Sequence, residues 1–168
     1  MTPLMTLGQR YTLPLQTNHR KDIMKPTLTE KIILSVSGLT AVAVGTAILT
    51  IPMAFYATSG IELGGDASLL NEIRAPGGAL LIMGLFILAG LIRASLTGVS
   101  LWIGAAIFMS YGMSRGLSIA LDGLPDSGLV MAAAFEIAIG TLCLLGVLRR
   151  NRAEARDDRR APQLLHSA

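Results

Sequence analysis

SGLVMAAAFEIAIGTLCLLGVL, residues 127–148, is the stretch that decides the fold. It runs for 22 residues, and Glu136 is its only charge. A bilayer core of about 30 Å takes about 20 apolar residues of helix to cross, at about 1.5 Å each. A helix on a soluble core would alternate apolar and charged faces, and this one does not. Working back along the chain, the pattern recurs. Thirty residues between Lys31 and Glu62, 18 between Arg74 and Arg93, and 21 between Arg93 and Arg115 carry no charge. The expectation is an all-α integral membrane four-helix bundle over 29–149, with helices at about 29–55, 75–93, 96–121 and 127–149. Residues 1–28 and 150–168 read as polar tails, the first disordered and the second charged and solvated. Met24, followed by Lys25 and Pro26, reads as the true start of the chain.

The basic residues give these helices a direction. Of the 14 Lys and Arg residues, 12 fall in the N-terminal tail, the turn at Arg93 or the C-terminal tail. Only Arg74 and Arg115 lie on the other side, with Glu62, Asp66, Glu72, Asp122 and Asp126. Lys and Arg collect in short cytoplasmic segments, so both termini are expected inside. The net charge of +3 therefore reflects orientation rather than nucleic-acid binding.

Several chemistries are hard to build from what remains. Cys143 is the only cysteine, which leaves no redox pair. His19 and His166 both lie in the tails, so no span offers an imidazole to a haem or metal. No cofactor, metal set or nucleophile–base pair is expected, and the chain does not read as an enzyme.

Local signals place the helix ends. Thr29 is a cap for the first span, with Pro52 in its last turns. Asn71 is a cap for the second, Glu72 suits its positive end, and Pro76 puts the start near Ala75. Asp122-Gly123-Leu124-Pro125 reads as a tight outer turn. Trp102 reads as an interfacial anchor. Small residues at four-residue spacing, such as Ser37, Ala41 and Gly45, let membrane helices approach closely.

A lone carboxylate at bilayer depth costs about 2.5–3.5 kcal/mol on insertion scales, so Glu136 should face a partner or a wet cavity. Counting along the helices puts Glu136 about 10 Å and Arg115 about 9 Å below the outer surface, on antiparallel neighbours. Pairing is therefore expected. Tyr111 and Asp122 share the Arg115 stripe, while Glu72 and Arg74 open the second span on the same side. Glu136, Arg115, Asp122, Tyr111, Arg74 and Glu72 thus form the candidate ligand or ion-pair cluster. Such a cluster serves either to fix helix order or to bind an anion, a lipid head group or protons.

Asn71-Glu72-Ile73-Arg74-Ala75-Pro76-Gly77-Gly78, then Arg115, Asp122-Gly123-Leu124-Pro125 and Glu136, resemble the bacterial four-helix membrane family catalogued as domain of unknown function 4345. The resemblance runs from about Lys31 to Leu148. It implies a small inner-membrane protein with no established activity, and it supplies no catalytic residues. The expected role is a non-enzymatic accessory or small-ligand-binding component, in contact with the lipid bilayer and with an unidentified membrane partner or further copies of itself. The alternative is proton- or ion-coupled transport with Glu136 as the titrating carboxylate. Four helices are few for a transporter, so that alternative requires a homo-oligomer.

Overall fold

A computed structural model of the chain describes residues 24–165. The tail expected over 1–28, and the question of a start at Met24, concern residues almost wholly outside that range. Helix α1 spans Leu28–Thr50, α2 Pro52–Ala57, α3 Ala67–Ile92, α4 Thr97–Asp122 and α5 Ser127–Leu165. All described regular structure is helical, and four helices are long and apolar enough to cross a membrane.

The helix ends depart from expectation for local reasons. Thr27, not Thr29, caps α1: its hydroxyl accepts the Glu30 N–H, and the Glu30 carboxylate accepts the Thr27 N–H at 2.7 Å. This reciprocal box satisfies two backbone donors that would otherwise be orphaned. At the far end, α1 stops at Thr50 instead of running on to Phe55. Pro52 has no N–H and disfavours helical geometry at the residue before it. Ile51 accordingly leaves the helical region (φ −131°, ψ 51°), and Pro52 opens the separate helix α2.

The second span begins at Ala67 rather than near Ala75. Asp66, not Asn71, provides the cap, its carboxylate accepting the Leu69 N–H at 2.8 Å. Pro76 consequently lies inside α3 and offers no N–H to the Glu72 carbonyl. The chain then makes a short 3-10 turn over Ala94–Leu96 before α4. Gly123, at φ 95°, ends α4 in a backbone conformation that other residues rarely adopt. Beyond Arg149, where a solvated tail was expected, α5 continues unbroken. Arg, Ala and Glu are strong helix formers, and Arg150 and Glu154 pair at 3.3 Å one turn apart.

Two helix pairs make up the bundle. Helix α1 lies along α3, α4 lies along α5, and the pairs meet chiefly between α3 and α4. Glycine sets how close each pair comes. A Cβ on Gly45 would stand 2.5 Å from the Leu81 backbone nitrogen, and one on Gly84 would stand 2.7 Å from that of Val42. In the other pair, a Cβ on Gly140 would meet the Met109 nitrogen at 2.8 Å. Large apolar residues are largely turned outward, among them Ile82, Leu85, Phe86, Leu142 and Leu145. In lipid such exposure carries no penalty, so close backbone packing rather than burial of large side chains holds the helices together.

Hydroxyls join the two pairs at the turn between them. Thr97 donates to the Gly90 carbonyl at 3.0 Å and Ser100 to that of Phe86 at 2.8 Å. Gly90 sits near the end of α3, where its carbonyl has lost its helical donor.

Overpacking at Gly45 should be felt directly. Gly45→Leu is expected to lower the unfolding free energy in detergent by roughly 1–3 kcal/mol. Gly116→Leu, at a position with nothing within 4 Å of an added Cβ, is the matched control and should change little. Equal stability of the two variants would contradict close α1–α3 contact.

Candidate functional site

Arg115 on α4 and Glu136 on α5 meet. The Arg115 Nε donates to both carboxylate oxygens of Glu136, at 3.2 and 3.0 Å. Their side chains are 35% and 15% exposed, so the carboxylate is the more enclosed partner. The reason lies in helix periodicity. Arg115 continues the inward stripe of Ala105, Phe108 and Gly112, and Glu136 falls between buried Ala133 and Ile139. Gly112 then brings the two backbones together. A Cβ there would lie 3.1 Å from the Ile137 nitrogen and 3.4 Å from the Ala133 carbonyl oxygen. The close approach is one turn from Arg115 and beside Glu136, so the two side chains span the remaining gap.

Only part of the guanidinium is used. Among the described residues, all hydrogen bonds from Arg115 leave through Nε, and neither terminal nitrogen donates to a protein acceptor. Guanidinium carries five N–H donors in a planar fork suited to carboxylate and phosphate. Tyr111, half-buried one turn earlier, stands within electrostatic range of Arg115, Glu136 and Tyr56.

The remaining members of the expected cluster are elsewhere. Asp122 accepts the Ser118 hydroxyl at 3.0 Å, two helical turns from Arg115. Arg74 donates from Nε to the Leu49 carbonyl at 3.1 Å, capping the end of α1 where Pro52 interrupts it. Glu72 is exposed and forms no hydrogen bond or ion pair among the described residues. The early start of α3 explains the separation. It carries Glu72 and Arg74 into the second turn of a helix that runs chiefly along α1. The six residues lie toward the same end of the bundle, but only Arg115 and Glu136 meet. Among the described residues, no group of three His, Cys, Asp or Glu side chains gathers as a metal site would require.

A second charged site lies at the opposite end and was not expected. Arg150 is buried, not solvated: it faces Glu30 at 3.5 Å, and both side chains are 8% exposed. Its Nη2 also donates to the Met24 carbonyl at 2.9 Å. Two signals in the sequence point there. Thr27-x-x-Glu30 is a capping-box pattern. Arg150 also extends the buried α5 stripe of Ile139, Cys143 and Val147 by one more turn.

Comparison with curated proteins and with solved structures finds no match. A family model does match, over residues 29–147, from the capped start of α1 to the end of the last apolar stretch. That region includes the whole bundle and the Arg115–Glu136 pair. The chain belongs to the family described as a domain of unknown function, DUF4345.

Proposed function

We propose that this is a non-enzymatic integral membrane protein, an accessory component whose Arg115 holds a small anionic ligand in the outer third of the bilayer. The observation that carries this reading is the half-used guanidinium. Glu136 engages Nε and fixes the plane of the fork, while both terminal nitrogens keep their donors for another acceptor. An approach to them exists. From Gly116 to Gly128 every residue but Ile119 is exposed, so α1 and α3 leave the tip of the α4–α5 hairpin uncovered. A carboxylate held by a guanidinium is a poor base, which supports binding over reaction. The distribution of Lys and Arg supports a cytoplasmic position for both termini, with Arg115 toward the outside.

Phenylglyoxal, which modifies free guanidinium groups, tests this on the folded protein. Millimolar phosphate or a short-chain carboxylate is expected to slow modification of Arg115 by about tenfold, while Arg150 stays unreactive throughout. An Arg115 rate indifferent to either anion would overturn the reading. Proton entry into sealed vesicles that depends on Glu136 would favour ion-coupled transport by a homo-oligomer instead.

A further inference from the structure

At the opposite end of the bundle, α5 leaves the apolar region and carries Arg149, Arg152 and Arg156 on an exposed face. Between that face and Met24 lies a hollow of about 430 Å³, with Asp157 as its one acid. Hollows of this size accommodate small ligands. The site is built rather than incidental. Buried Arg150 turns inward from the same stretch of helix, holding the Met24 carbonyl at 2.9 Å and Glu30 at 3.5 Å. The segment that forms one wall of the hollow is thereby fastened to α5, which forms the other.

Farther back along α5, where it packs beside α1, runs a wholly apolar slot, lined by Ile32, Ile33 and Val36 of α1 and by Ile139 and Leu142 of α5. Leu142, Arg149 and Arg156 recur at seven-residue spacing, so they share one face of α5. Leu142 lies about 10 Å below Arg149 along the helix axis. One face of α5 therefore carries both the arginines and, about 10 Å from Arg149, a wall of the apolar slot.

We propose that this surface binds one anionic phospholipid, with its phosphate on Arg149, Arg152 and Arg156 and an acyl chain in the slot between α1 and α5. Guanidinium forks match phosphate oxygens in pairs, and juxtamembrane arginines are drawn to anionic head groups. A free phosphate ion would satisfy the arginines but leave the slot without an occupant. The site is independent of Arg115 and lies at the other end of the molecule.

Native mass spectrometry of the full chain in detergent, titrated with phosphatidylglycerol or with phosphatidylcholine of the same acyl chains, tests the proposal. The expected result is saturation at one phosphatidylglycerol, bound about tenfold more tightly than phosphatidylcholine. The triple variant Arg149→Gln/Arg152→Gln/Arg156→Gln should lose about tenfold in that affinity while keeping its helical circular dichroism. Arg156→Gln alone, beyond the packed bundle, should lose about two- to threefold, which keeps the test open if the triple variant does not fold. Arg93→Gln, which removes a charge at the same end but outside the hollow, should bind as wild type. Equal binding of the two lipids, wild-type binding by both arginine variants, or binding without saturation would overturn the proposal. So would inorganic phosphate displacing the lipid mole for mole, which would assign the hollow to a soluble anion.

Discussion

Arg150→Leu is expected to destabilise the bundle by about 3–5 kcal/mol, the largest effect of any single substitution considered. Removing the guanidinium strands the Glu30 carboxylate among buried groups, with only the Thr27 N–H and hydroxyl left to solvate it. It also frees the Met24 carbonyl and so releases the segment before α1 from α5. Glu30→Gln should cost less, because Arg150 keeps Met24 and Glu154 as partners. It still forfeits the buried ion-pair contact at 3.5 Å. Arg159→Gln, at an exposed position, should stay within about 0.5 kcal/mol of wild type. Equilibrium unfolding in detergent, followed by circular dichroism, orders the three. An Arg150→Leu protein as stable as Arg159→Gln would show that the Glu30–Arg150 contact holds nothing together.

The contrast between the two ends of the bundle bears on function. Glu30–Arg150 is enclosed on both sides, and each member has further partners, as a structural clasp requires. Arg115–Glu136 is enclosed on the glutamate side only, and its arginine has donors to spare. The first arrangement resists change, and the second leaves the terminal guanidinium nitrogens without a protein acceptor among the described residues. Charged residues at membrane depth more often mark function than those at a water-facing surface.

The spans were legible in the sequence because lipid forbids charge over a fixed length, and residue counts measure that length. The Arg115–Glu136 meeting was legible for a related reason. A tight turn joins their helices, so distance from the turn gives depth on both sides. Rotation about the helix axis was harder to see. Asp122 lies two turns beyond Arg115 at the end of α4, and which way Glu72 and Arg74 point depends on where α3 starts and what it packs against. That start turned on Asp66, a cap obscured by the proline and asparagine that follow it. Arg150 was hidden in a run of like residues. Read as part of a charged tail it looks solvated; read as the next position on the Cys143–Val147 stripe it faces inward. A composition-based boundary after Arg149 separated it from the stripe to which it belongs.

The second large effect concerns the outer pair. Arg115→Gln should abolish anion binding at that site, a loss of about tenfold or more in affinity, with the fold retained. Glu136→Gln keeps a side chain able to accept from Nε, so binding should persist, weakened by the less firmly held fork. Glu136→Gln should not approach the cost at Arg150, since a partly exposed arginine gives up little when its partner is neutralised.

The coupling energy between positions 115 and 136, from unfolding of Arg115→Gln, Glu136→Gln and the double variant, is the most direct measurement. If the pair is a ligand site, both single variants fold and the coupling is about 1 kcal/mol or less. Single variants that fail to fold, rescued in the double with a coupling of about 3 kcal/mol or more, would make the pair a lock and remove the basis for ligand binding there.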